Sequence, residues 1–135
     1  MKHIAIGLTL LAGASIMADA APVHPKASLD GLWGGDRMQL TMDAHGGRIE
    51  MDCASGTISG PVQLKADGSF TARGTFERYQ GGPQRADEGA APARAQFRGK
   101  LGEGVMQLAV TPVGVKASQI FLLRQGARVK LIRCL

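Results

Sequence analysis

Histidine is nearly missing from this 135-residue chain, which has only His3, His24 and His45. His3 lies in an N-terminal leader and His24 in a proline-bearing segment. General acid–base chemistry of the commonest kind therefore has one candidate, His45, in a turn. Cys53 and Cys134 are the only cysteines, and no Cys-x-x-Cys pair exists. This removes the usual thiol-redox motif and the usual structural zinc sites. Ser55, Ser59, Ser69 and Ser118 have no histidine beside them, and no Gly-x-Ser-x-Gly elbow is present. Gly34-Gly35-Asp36 lacks the following helix that a phosphate cradle needs, so it reads as a bulge or tight approach behind Trp33. Asp43, His45 and Asp52 have metal-ligand character, but turn preference accounts equally well for the first two. Asp87-Glu88 reads as a solvated pair. The sequence thus predicts no enzyme, no metal site and no cofactor.

Helical periodicity is also absent beyond the leader, and so is any apolar run long enough to span a bilayer. Met1-Lys2-His3 is a short basic head, Ile4 to Ile16 carries no charge, and Ala18-Asp19-Ala20 supplies small residues before a cut. Residues 1–20 read as a secretory signal peptide cleaved after Ala20, which places the protein in the periplasm or outside the cell. In that compartment two thiols in one small domain pair, so Cys53 and Cys134 are expected to form a disulfide. Residues 21–30, with Pro22 and Pro25, read as a flexible arm. Residues 31–135 then form a single domain with no transmembrane segment.

Acidic residues run out in the second half of the chain. From Ala21 to Ala93 nine acidic residues face seven basic ones, whereas from Arg94 to Leu135 eight basic residues face only Glu103. An exported protein seldom meets nucleic acid. The basic half therefore serves solubility, or it meets an anionic envelope component or an acidic protein.

What the domain does contain is short runs of period-two alternation separated by glycine-bearing turns, the pattern of strands. A first strand opens at Gly31 and alternates through Met38, Leu40 and Met42, and a second runs through Ile49 and Met51 to Cys53. Six more follow, over Ile58 to Leu64, Phe70 to Phe76, Ala95 to Leu101, Met106 to Val110, Ile120 to Leu123, and Val129 to Leu131, of which Ile120 to Leu123 is apolar on both parities, as expected of a strand covered on both sides or packed against the arm. A long loop, 79–93, shows no apolar period and reads as a binding element or a mobile insertion. Eight strands joined by hairpin-like connections predict an all-β, up-and-down antiparallel meander closed into a small barrel, with a two-sheet sandwich as the alternative. In such a barrel Cys53 and Cys134 end even-numbered strands at one rim. The expected inward set is Met38, Leu40, Met42, Ile49, Met51, Ile58, Val62, Leu64, Phe70, Ala72, Phe76, Phe97, Leu101, Met106, Leu108, Val110, Val129 and Leu131. It contains no polar residue, which predicts a packed interior rather than a ligand pocket.

Gly31-Leu32-Trp33, at the opening of an exported meander of this size, resembles the start of calycin barrels, the group that includes lipocalins and avidins. The resemblance implies that Trp33 packs across one end of the barrel core. In size, compartment and architecture the chain is also similar to small periplasmic disulfide-bonded barrels that inhibit metalloproteases or lysozyme. Both likenesses imply binding or inhibition. The expected function is a non-catalytic binding or inhibitor module acting through a basic outer face (Arg94, Arg98, Lys100, Arg128, Lys130), Tyr79 and the long loop. The alternatives are a lipocalin-like carrier of a small hydrophobic ligand and a structural envelope protein.

Overall fold

The computed structural model describes residues 28–79 and 93–132, together with residues 13 and 134. The leader and most of the arm lie outside these residues, as does the long loop between Tyr79 and Ala93. Eight strands follow in order: β1 (Gly31–Gly35), β2 (Met38–Asp43), β3 (Gly46–Met51), β4 (Ala54–Ser59), β5 (Ser69–Arg78), β6 (Arg94–Gly102), β7 (Val105–Pro112) and β8 (Gln119–Gln125). Each pairs antiparallel with its neighbours and β8 returns to β1, so the sheet is a closed barrel in sequence order. This is the expected all-β meander, and it is consistent with a calycin-like architecture. The β1–β2, β3–β4, β5–β6 and β7–β8 connections lie at one end of the barrel, here the loop end. The chain enters β1 and leaves β8 at the other, the arm end.

The alternating residues divide as the period-two pattern requires. Trp33, Met38, Leu40, Ile49, Phe70, Phe97, Met106, Leu108 and Leu123 are buried in the interior, and Thr41, Arg48, Thr57, Arg98 and Gln107 face out. A barrel that crosses lipid with its strands has an apolar band outside, the reverse of this arrangement. Among the described residues, no helix is long and apolar enough to cross a membrane. Two inward glycines show how completely the core is filled. A Cβ at Gly99 would meet the Phe70 ring, and one at Gly47 would meet the Met42 sulfur. The aromatic ring and the thioether therefore occupy the room those glycines leave.

Four details differ from the sequence pattern. The expected first strand is two strands, because Asp36 and Arg37 both adopt left-handed backbone (φ 48° and 61°) in a two-residue hairpin turn. β4 stops at Ser59, and 61–65 is not strand, although Val62 and Leu64 still pack against the core. Proline at 61 offers no N–H to a ladder, which suits the break. Leu29, in the segment read as arm, is 5% exposed and belongs to the core, and its carbonyl accepts a hydrogen bond from the Trp33 indole N–H at 2.8 Å.

The fourth difference is the largest. Residues 127–132 are not an eighth strand but a strap laid across the outside of the barrel. Gly126 N–H donates to Leu32 O at 2.7 Å, and the chain then passes over Gly34, where any Cβ would collide with the Ala127 carbonyl. Gln39, which points outward from β2, binds the strap on two sides. Its Nε2 donates to Ala127 O at 3.1 Å and its Oε1 accepts from Val129 N–H at 2.8 Å. Val129 and Leu131 are consequently half-buried against the outer wall, not inside the barrel. At the loop end Ile132 N–H donates to the Asp52 carboxylate at 2.7 Å, and Cys134 is bonded to Cys53 with the Cα atoms 5.3 Å apart. The expected disulfide is present, but Cys53 sits in the β3–β4 turn and Cys134 follows the strap. Proximity comes from the strap's crossing of the wall and not from two strands ending at one rim.

Candidate binding surface

The alternation of β6 directs Arg94, Gln96, Arg98 and Lys100 outward, at a repeat of about 7 Å for same-face neighbours. The β5–β6 register then sets Thr71 opposite Arg98, Arg73 opposite Gln96 and Ser69 opposite Lys100. Arg73 thus stands diagonally between Arg94 and Arg98, and four cations share one wall. On the far side β7 offers only uncharged partners, with Thr111, Ala109 and Gln107 opposite Gln96, Arg98 and Lys100. Thr71, Ala72, Arg73, Gln96, Phe97 and Arg98 line an open groove of about 330 Å³ on this wall. Its lining includes two arginines, a glutamine and a threonine, residue types whose donors suit phosphate, sulfate or carboxylate oxygens.

Acidic groups near this wall are few. Asp67 lies beside Lys100, and its carboxyl is held below the usual aspartate range, chiefly by the Ser69 hydroxyl (2.6 Å) and the Ser69 N–H (3.0 Å), with Lys100 adding to the effect. Glu77 is exposed on β5 toward the loop end. The ion pairs of the described residues lie elsewhere on the barrel, Arg37 with Asp52 and Arg48 with Glu50 at 2.6 and 2.9 Å. The excess positive charge in the second half of the sequence is therefore also an asymmetry in space.

Of the residues the sequence singles out, Arg94, Arg98 and Lys100 are brought together. Arg128 and Lys130 are exposed on the strap, over β1–β2, which is separated from β6 by β7 and β8 on one side and by β3 to β5 on the other. Tyr79 is exposed at the loop end, where its N–H donates to Cys53 O at 2.7 Å. Asp43 and His45 share an arm-end turn closed by His45 N–H to Asp43 Oδ1 at 2.7 Å, while Asp52 lies at the far end of β3. Those three do not gather. Trp33 is wholly buried, with its indole N–H bonded to Leu29. Arg73 is the residue that strand-by-strand reading misses, because its place depends on a register formed across the long loop.

No protein-family model matches the chain, and neither a curated protein nor a solved structure matches it.

Proposed function

We propose that this is an exported, non-catalytic binding module that holds an anionic envelope component on the outer wall of β5–β7, with the 79–93 loop at its edge. The observation that carries the reading is the cluster Arg73, Arg94, Arg98 and Lys100, separated by neutral hydrogen-bonding residues and making no ion pair with another described residue. The filled interior favours recognition by the surface over carriage of a small apolar ligand.

A sulfated polysaccharide is a suitable probe, since it presents the oxyanions that this donor set would recognise. The protein is expected to bind immobilised dextran sulfate with an affinity that falls steeply with salt, because surface charges are screened. Arg98→Glu with Lys100→Glu lowers that affinity by roughly tenfold or more, because each reversal replaces attraction with repulsion. Wild-type affinity in the double variant would remove the proposal. An apolar small molecule found by native mass spectrometry in protein purified from its host would favour the carrier.

A further inference from the structure

The basic wall is not the only unusual surface. Six large apolar side chains are exposed among the described residues, namely Tyr79, Val113, Val115, Ile120, Leu122 and Ile132. Their distribution is one-sided. Tyr79 follows β5 into the long loop, and Val113 and Val115 lie in the β7–β8 connection. Ile132 is where the strap reaches Asp52. Ile120 and Leu122 face outward from the part of β8 that starts at the loop end, with Ala109 across from Ile120. Of the arm-end connections, Ala44-His45 and Glu103-Gly104 contain no large apolar residue, and Val62 and Leu64 of the β4–β5 connection pack against the core. Scattered exposed apolar residues are ordinary, but a set gathered at one pole of a small barrel marks a contact surface.

The β7–β8 connection is tied to the basic wall. Val113 N–H donates to Arg94 O at 2.9 Å, which fixes the apolar turn to the end of β6. Lys116 follows Val115 directly, and Arg124 lies on the same face of β8 as Ile120 and Leu122. Val113 and Ile120, at 66% and 58% exposure, thus lie at the same end of the barrel as Arg94 and Lys116. Of the acids at this end, Glu77 is exposed on β5, whereas two others are engaged. Asp52 is paired with Arg37, and the Asp36 carboxylate accepts the Leu122 N–H at 2.7 Å.

We propose that the loop end docks on an anionic lipid bilayer, with Val113, Val115 and Ile120 entering the interface while Arg94, Lys116 and the β6 cations meet the headgroup phosphates. Apolar insertion and cationic attraction add in such binding, and a basic residue near an anionic surface contributes about a fivefold gain. A soluble polysaccharide or an acidic peptide satisfies the cations but not the valines. The inference rests on the proposed function insofar as the β6 cations supply part of the attraction.

Co-sedimentation with vesicles tests it, using phosphatidylcholine alone, an equal mixture with phosphatidylglycerol, and dextran sulfate in solution as the lipid-free comparison. The protein sediments with the anionic vesicles and not with phosphatidylcholine. Val113→Asn, Val115→Asn and Ile120→Thr together weaken vesicle binding by roughly tenfold or more. The same variant retains dextran sulfate binding and its melting temperature, since all three positions are exposed.

Anionic vesicles bound equally by wild type and triple variant would overturn the inference and leave the proposed function standing. So would failure to bind those vesicles while dextran sulfate is bound. A wild-type dimer that the triple variant converts to monomer, without vesicle binding, would assign the patch to a second copy and also overturn it. Loss of dextran sulfate binding alone, with vesicle binding still sensitive to the three substitutions, would count against the proposed function and support this inference.

Discussion

Gln39 is buried between the outer wall and the strap, at 9% exposure, and both ends of its amide are engaged. Besides the two bonds to the strap, its Nε2 donates to Trp33 O at 2.8 Å. Replacing it with leucine leaves the Ala127 carbonyl and the Val129 N–H without partners at a closed interface. Gln39→Leu is expected to cost about 2–3 kcal/mol in urea unfolding, with faster amide exchange from 127 to 132. Asp52 anchors the other end of the same strap. Its carboxyl is held below the usual aspartate range first by the hydrogen bond from Arg37, then by the Ile132 N–H. A carboxyl depressed in the folded state adds stability that is complete above the unfolded aspartate range and is lost as pH falls through the folded value. The stability gap between wild type and Asp52→Asn should therefore be constant near neutral pH and narrow as the pH falls below the ordinary aspartate range. A gap independent of pH in urea titrations would refute this account of Asp52.

At the scale of elements, the strap and the β1–β8 seam are the places where strand pairing is replaced by side-chain bonds. β1 and β8 share only the pairs Trp33–Gln125 and Gly34–Arg124, and beyond them Asp36 takes the Leu122 N–H. Asp36→Ala removes a charged acceptor and is expected to cost about 1.5–3 kcal/mol in chemical denaturation. Cys53→Ser with Cys134→Ser opens a loop whose cysteines are 81 residues apart. The expected loss is about 4 kcal/mol on the chain-entropy account, measured by the same titration. These are also the elements the sequence conceals. Alternation reveals β2, β3 and β5 to β7 because a strand with one wet and one dry face must repeat every two residues, whereas β8 shows as an apolar run read as covered on both sides, although Ile120 and Leu122 are exposed. The strap shows the same repeat at Val129 and Leu131, since it too has one covered face, and only its hydrogen-bond partners distinguish it from a strand. The Asp36-Arg37 turn lacks the usual Asn-Gly or Asp-Gly signal, so β1 and β2 read as one. Arg94, Arg98 and Lys100 were legible as one face because they lie on one strand. Arg73 joins them only through pairing, and the apolar pole only through the shared end of four connections.

For the whole molecule, the position of charge matters more than its sum. Reversing Arg73 and Arg98 to glutamate changes net charge by the same amount as reversing Arg128 and Lys130. The first pair is expected to elute from dextran sulfate at much lower salt than wild type and the second close to it, because the strap cations lie on another wall. Equal shifts for the two variants would show that net charge alone governs retention. The diagonal path of the strap has a practical corollary for anyone labelling this protein. It carries the chain from the pole where β1 begins to the opposite one, and Cys134 is tied there to Cys53. A fluorophore or affinity tag fused beyond Cys134 emerges at the same pole as the valine-bearing β7–β8 connection, next to the β3–β4 turn. A fusion placed ahead of Ser28 emerges at the far pole and leaves that connection free.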